Sequence, residues 1–392
     1  MSLQITDNIC SVGIDDPSVR VFEAQYPTPH GMSYNSYVIA DRMIAVMDSV
    51  ESGGGDRWVA DILDATGGRH PDYLVVHHME PDHSANILTA LGAFPALKIV
   101  TSAPAAKMLP QFFPDFDFSG RVITVKEGDT LALGDHTLRF FSAPMVHWPE
   151  VIVSYEESTR TLFSADAFGK FGAIGHDDDW VSEARRYYVN IVGRYGSQVA
   201  SLLKKLGGLD VVRIAPLHGP VLDGDLQRYF GLYGLWSSYT PEADGVLIAY
   251  ASIYGGTAEA ALELADMLRQ RGVSNVEAMD LTTCMMSEAV AQAFRYSALV
   301  LASPTYDAGL FPVMGEFIRH LAKKNFRNRA VGYVENGSWA PIAARKMSEF
   351  MSELPGISVM EPVVTVRSRL SSESRSRLQL LAESIEKTIQ TK

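Results

Sequence analysis

The sequence predicts a chain in two parts: a layered α+β half of αββα sandwich type, then an α/β half built on a doubly wound parallel sheet. Three observations carry this. The chain has 392 residues, more than one core usually holds. Residues 244–392 alternate buried strands with amphipathic helices. Residues 1–243 instead carry short strands in pairs, with helical stretches between the pairs.

The second half is the more regular. "VLIAYAS" (246–252) reads as a buried strand, and a helix follows from about Gly256, with Ala261, Leu264, Ala265 and Leu268 at helical spacing. "VEAMDL" reads as the next strand. "ALVLASP" (298–304) is the third, followed by a helix carrying Met314, Phe317, Ile318 and Leu321. "AVGYVENG" (330–337) and "ISVMEPVVTV" (357–366) complete five strands, and an amphipathic helix comes last. That alternation is the flavodoxin-like five-stranded parallel sheet. The stretch "SSYTPEADG" (237–245), with a Pro, acids and a Gly, reads as the linker, so the expected domains are 1–243 and 244–392. In the first half "YVIADRMIAVMDSV" and "TLALGDHTLRFFSA" read as strand pairs and "DRWVADILDATG" as a helix.

Composition narrows the function. A net charge of −12 and a pI near 5.3 argue against a nucleic-acid or anionic-membrane surface. Cys10 and Cys284 are the only cysteines and form no C-x-x-C. That excludes a disulfide framework, a thiolate zinc site and a cysteine-held iron–sulfur cluster. No apolar run approaches the roughly 18 residues of a membrane helix, and the polar start "MSLQITDN" does not read as a signal peptide. The expected location is the cytoplasm.

Four segments of the first half run a short apolar strand into a histidine or an acid. "YLVVHHMEPDH" supplies His78, Glu80, Asp82 and His83; "LRFFSAPMVHWPE" supplies His147; "TLFSADAFG" supplies Asp166; "VVRIAPLHGP" supplies His218. Strand ends converge ligands well, because the sheet fixes the backbone and the loops leave room. Taken singly, His147 and His218 read better as hydrogen-bonded histidines, and Asp166 as a turn or cap residue. The 78–83 cluster does not, since so many ionisable groups after a buried strand are costly unless they bind metal or reach water. Four imidazoles and three carboxylates exceed one tetrahedral site and fit two metals with one carboxylate shared. Nitrogen and oxygen donors without sulfur suit iron, manganese or zinc.

The motif H-x-E-x-D-H, followed at a distance by His147, Asp166 and His218, resembles the metallo-β-lactamase-like domain of the flavodiiron proteins. Hydrolases of that superfamily usually carry H-x-H-x-D-H and zinc, whereas the middle position here is Glu80. An anionic oxygen donor stabilises ferric over ferrous iron and suits a redox pair. The resemblance implies that His78, Glu80 and His147 hold one iron and that Asp82, His83 and His218 hold the other, with Asp166 bridging. It extends over "YPTPHGMSYNSYVI" (26–39), "HWPE", "DAFGKFG" and the second half. His77 departs from it, because relatives tend to have Asn before the first ligand. If Val76 faces the core, His77 points the other way, to a supporting or surface position. His30 and His176 lie near the candidate loops and could line the pocket.

In the second half, "ASIYGGTAEA" (251–260) joins the first strand to its helix. Hydroxyls and glycines there let backbone N–H groups close on an anion at a helix N-terminus. The loop is neither G-x-G-x-x-G nor a GK[ST] loop, which disfavours NAD and ATP. "SPTYDAGLFP" (303–312) and "ENGSWAP" (335–341) should lie at the carboxyl ends of the third and fourth strands, each with an aromatic that can cover a flat ring. Together the three loops resemble the FMN site of flavodoxins. The resemblance implies Ser252, Tyr254, Gly255, Gly256 and Thr257 at the phosphate. It puts Pro304, Thr305, Tyr306, Asp307, Ala308 and Gly309 near the isoalloxazine, with Asn336, Gly337, Ser338 and Trp339 on its other side.

The family resemblance implies an oxidoreductase that reduces dioxygen to water and/or nitric oxide to nitrous oxide at two irons, with electrons passing through FMN. No catalytic residue beyond the iron ligands is expected. The chain leaves no room for a rubredoxin module and shows no dinucleotide fingerprint, so an external donor, a rubredoxin or similar small redox protein, is implied. A head-to-tail homodimer, or a dimer of such dimers, is implied as well. The alternative is a zinc metallo-hydrolase fused to a flavodoxin-like docking domain; a third reading is an electron carrier with a merely structural first half.

Overall fold

The computed structural model describes residues 3–175 and 179–390. The chain separates into two compact units, Met1–Gly234 and Leu235–Lys392, and the division falls within the helix Leu226–Ser237.

The first unit is an αββα sandwich. Its larger sheet has seven strands in the order Leu3–Thr6, Ile9–Ser11, Tyr37–Ala40, Ile44–Met47, Tyr73–Val76, Lys98–Ser102 and Val122–Val125. The smaller has five, in the order Thr130–Ala132, Thr137–Ser142, Ile152–Glu156, Thr161–Phe163 and Arg213–Ala215. Their apolar faces meet in one core: Tyr37, Ile39, Met47, Val75 and Val100 from the larger, Leu138, Phe140, Ile152, Phe163 and Ala215 from the smaller. The two strand pairs read from sequence form antiparallel hairpins, Tyr37↔Met47 and Leu131↔Leu138. Helix Gly55–Ala65 turns Trp58 and Ile62 inward. Trp58 there donates its indole N–H to Ser36 Oγ at 2.9 Å, so the bulky ring is buried without an orphaned donor.

The second unit is the flavodoxin-like sheet. Its strands run in the order Val276–Asp280, Ala243–Tyr250, Tyr296–Tyr306, Ala330–Asn336 and a last edge made of Ser358–Val359 and Val364–Val366. All five positions pair in parallel. Continuous apolar runs suit these strands because helices cover both faces. The last strand was expected to be unbroken over 357–366. It is interrupted, and Pro362 lies in the break, where it has no N–H to give a ladder. Among the described residues, no helix is long and apolar enough to cross a membrane.

At the opposite end of this sheet from its binding loops, Arg329 is 1% exposed. Its guanidinium donates to the carbonyls of Tyr296 (2.7 Å), Tyr239 (2.7 Å) and Phe294 (2.6 Å). Burial lowers its pKa to about 10. The side chain thus ties the segment at Tyr239 to the end of helix Met286–Arg295 and the start of strand Tyr296–Tyr306. Arg329→Leu leaves these carbonyls buried without donors and should destabilise the second unit by about 3 kcal/mol or more. Urea unfolding of the variant checks this, and an unchanged midpoint would refute the tie.

Candidate metal centre and flavin cavity

The strand Tyr73–Val76 ends against Asp48, whose Oδ1 accepts the His77 backbone N–H at 2.7 Å. The chain then turns, and Glu80 caps a short helix, Pro81–Ser84, that carries Asp82 and His83. Ser49 holds that turn by donating through its N–H and its hydroxyl to the His83 carbonyl (2.8 and 2.9 Å). Asp166 and His218 follow two neighbouring strands of the smaller sheet, Thr161–Phe163 and Arg213–Ala215. His147 comes from the loop that precedes Ile152–Glu156. Both sheets therefore deliver side chains to one end of the sandwich.

All seven residues singled out from sequence come together there, in two groups. Donor atoms of His78, Glu80, His147 and Asp166 lie within 4.8 Å of one another, as do those of Asp82, His83 and His218. In the first group Glu80 Oε2 is 3.3 Å from His78 Nε2 and 3.0 Å from His147 Nε2. In the second, Asp82 Oδ2 is 3.3 Å from both His83 Nε2 and His218 Nε2. Asp166 divides its oxygens between them. Oδ2 faces His78 and His147 at 3.3 and 3.0 Å, and Oδ1 faces His83 and His218 at 3.3 and 3.8 Å.

These residues fit metal ions. Both carboxylate oxygens of Asp166 and of Asp82 are buried and accept no hydrogen bond among the described residues. Buried ionised oxygens without donors are expensive. Donors at about 2.1 Å from one ion and at right angles to each other stand about 3.0 Å apart, which is the spacing seen here. The electrostatics agree. Burial disfavours the charged form of His147, but Asp166 and Glu80 outweigh it and push its pKa up to about 9. His78 is likewise raised, burial opposing and Asp166 and Glu150 prevailing. Burial pushes Glu80 and Asp166 upward, yet the imidazoles beside them hold both well below the ordinary carboxylate range. Without a cation the cluster recruits protons instead, as an acid-rich metal site does.

Two supporting contacts were not foreseen in the sequence. Glu150 Oε1 lies 2.7 Å from His78 Nδ1 and also accepts the Met79 N–H at 2.9 Å. His218 Nδ1 lies 2.7 Å from the Ser33 carbonyl oxygen. Partners of this kind orient metal-binding imidazoles. The "HWPE" stretch contains Glu150, but only its position in the fold reveals what it touches. Phe22, Tyr34 and Tyr187 rings stand 5.4–5.9 Å from the His218 ring and wall the site. A cavity of about 250 Å³ opens beside it, lined by Phe22, Glu23, Tyr34, Glu80 and Asp82 among others. His77 turns away from this cluster and is buried, not on the surface. His30 is exposed, and His176 lies outside the described residues.

In the second unit a cavity of about 670 Å³ opens at the carboxyl ends of the first, third and fourth strands. It is lined by Ser252, Tyr254, Gly256 and Thr257, by Pro304, Thr305, Tyr306, Asp307 and Ala308, and by Asn336, Gly337, Ser338 and Trp339. Gly255 and Gly309 are not among its lining residues. Gly255 shapes the loop at φ 88° as the N-cap of helix Gly256–Gln270, a conformation that favours glycine. A Cβ on Gly256 would stand 2.0 Å from the Ser368 carbonyl oxygen. Ile253, Ala340, Ile342, Ser368 and Arg369 also line the cavity. The last two belong to the loop after the fifth strand, which has no glycine or aromatic to draw attention to it. Tyr254 and Trp339 are 90% and 82% exposed at the rim, unusual for aromatics without a partner.

Residues 32–219 match the family model described as ODP family beta lactamase. The rubredoxin-oxygen oxidoreductase of Megalodesulfovibrio gigas is 26% identical, the alignment covering 99% of this chain and 98% of the relative. A nitric oxide reductase of Moorella thermoacetica is 27% identical over 93% of this chain and 92% of its own. A flavo-diiron protein of Clostridium acetobutylicum is 28% identical over 86% and 88%. Among solved structures, the rubredoxin oxygen:oxidoreductase from Desulfovibrio gigas is 25% identical and superposes with a TM-score of 0.92, covering 100% of this chain and 99% of that one. With a metallo-β-lactamase-like sandwich and a flavodoxin-like sheet in one chain, the protein has the build of the flavodiiron proteins and resembles them end to end.

Proposed function

We propose that this chain is a flavodiiron oxidoreductase that reduces dioxygen to water and/or nitric oxide to nitrous oxide, taking electrons through FMN from an external redox protein. In this reading His78, Glu80 and His147 hold one iron, Asp82, His83 and His218 hold the other, and Asp166 bridges them. The observation that carries the reading is Asp166, fully buried, with one oxygen turned to each group of donors. The activities of the relatives support it, and a Glu in place of the hydrolases' middle His, together with the flavin-domain cavity, stands against the zinc hydrolase. The metal domain is assigned to 1–243 and the flavin domain to 244–392.

When bound, two ferrous ions and a reduced flavin supply four electrons between them, enough for dioxygen with four protons to give two waters, while two molecules of nitric oxide need two electrons and two protons to give nitrous oxide and water. The chain's own residues position and shield. Glu150 and the Ser33 carbonyl orient His78 and His218. Phe22, Tyr34 and Tyr187 pack their rings against the His218 imidazole. The loop 252–257 offers hydroxyls and a helix N-terminus to the FMN phosphate, while Tyr306 and Trp339 offer rings to the isoalloxazine. The assembly is a head-to-tail homodimer or a dimer of such dimers, a reading that rests on the family and to which exposed Tyr254 and Trp339 add apolar surface. Its place is the cytoplasm, in keeping with two unpaired cysteines.

Asp166→Asn should abolish gas reduction and lower the iron content while FMN stays bound, because a neutral amide does not balance two cations. Metal and flavin analysis with O2 and NO consumption checks this; normal iron content and turnover would sink the ligand assignment. Thr257 is 2% exposed in the flavin loop. Thr257→Val removes one hydroxyl from the proposed phosphate contact and should weaken FMN binding by about 1.5–3 kcal/mol without changing iron content; an unaltered flavin titration of the apoprotein would refute it. The purified chain with NADH alone should consume O2 and NO negligibly, and reduced rubredoxin should start turnover. Rapid NADH-driven consumption by the chain alone would contradict the external-donor reading.

A further inference from the structure

His77 stands beside the metal centre but contributes nothing to it directly. It is 1% exposed, and both ring nitrogens are engaged. Nδ1 lies 2.5 Å from Asp48 Oδ2, and Nε2 lies 2.8 Å from Ser154 Oγ. The ring stacks on Phe163, with centroids 6.4 Å apart and planes at 18°. These partners belong to different sheets. Asp48 follows the strand Ile44–Met47 of the larger sheet. Ser154 and Phe163 belong to the smaller and pair with each other across its ladder. The His77 backbone makes the same crossing, since its N–H donates to Asp48 Oδ1 at 2.7 Å and its carbonyl accepts the Ile152 N–H at 3.1 Å.

A serine, a histidine and an aspartate in this order have the arrangement of a hydrolytic triad. Ser154 and Asp48 are each 0% exposed, however, so no substrate reaches the hydroxyl. The arrangement has another consequence. His77 is the residue before His78, and Phe163 stands three residues before Asp166. His78 comes from the larger sheet and Asp166 from the smaller, and their facing atoms are 3.3 Å apart. A slip of one sheet over the other would change that separation at once, and the Asp48–His77–Ser154 chain lies across the path of such a slip.

We propose that His77 is a positioning residue for the metal centre: by tying the two sheets together behind the ligands, it fixes His78 against Asp166. This rests on the two-iron reading given above. The effect runs through the backbone of His78 and the strand that leads to Asp166, so it bears on the first iron and on the bridge together. It is a feature of this chain's own sequence, since the family resemblance carries an asparagine at the position.

The test uses the full-length, iron- and flavin-loaded protein. His77→Asn retains a side-chain donor for Asp48 but does not reach Ser154, and Ser154→Ala removes the other half of the tie. Release of iron to an excess of chelator is timed for the wild type, each variant and the double variant, and the iron-pair EPR signal is recorded after one-electron reduction. Each single variant should release iron about tenfold faster, the scale of losses seen when supporting partners of metal ligands are removed. The iron signal should change while the flavin potential does not, and the double variant should be no faster than His77→Asn alone. Wild-type release rates and an unchanged iron signal in the variants, even with a lowered unfolding temperature of the metal-free protein, would overturn the proposal. Should His77→Asn fail to fold, Ser154→Ala decides by the same two readings. A wild-type chain that binds no iron pair overturns the metal-centre reading itself, and is seen before any variant is made.

Discussion

A carboxylate with no hydrogen-bond donor, sealed between two sets of imidazoles, is the constraint on which the first unit depends. Asp166 is fully buried, and both its oxygens are without hydrogen bonds among the described residues. An ionised group cannot rest there uncompensated, because desolvation alone costs several kcal/mol. The imidazoles of His78, His83 and His147, at 3.0–3.3 Å, compensate by favouring their protonated forms, and divalent or trivalent cations compensate better. The sandwich makes this possible by bringing the ends of both sheets to one place. The larger sheet delivers His78, Glu80, Asp82 and His83 in a single turn, and the smaller delivers Asp166 and His218 from adjacent strands.

The second unit solves a different problem by simpler means. Its cavity lies where the strand order reverses, at the carboxyl ends of the parallel strands, which is where open α/β sheets bind their ligands. The approach of the Ser368 carbonyl to Gly256 leaves no room for a side chain, so the helix start and the last loop are held close together. The rim is aromatic and exposed, and the cavity is set by loops at the strand ends.

How far the sequence discloses this depends on how local each feature is. The helix and strand pattern of the second half is periodic and was legible almost strand by strand; only the break at Pro362 was not. The cluster at His78–His83 was legible because its donors lie within one turn. His147, Asp166 and His218 lie far apart in sequence, and no spacing rule brings them together; the family resemblance did that. His77 shows the limit of alternation along a strand. The pattern indicates that it faces away from the ligands, but not that the facing layer buries it against Ser154 and Phe163. Glu150, Ser33 and Asp48 escaped notice for a related reason. They act on a ligand's far nitrogen or backbone across the sandwich, and such contacts leave no periodic trace. The flavin loops were found by composition, which missed Ser368 and Arg369 because their loop carries no turn or aromatic signature.

The central claim is that the two groups of donors share Asp166 around a pair of irons. Mössbauer spectroscopy of the oxidised, iron-loaded protein, with metal analysis of the same sample, tests it most directly. The account predicts two irons per chain and the spectrum of two high-spin ferric ions coupled to a diamagnetic ground state. One iron per chain, or two magnetically isolated ferric ions, would contradict it.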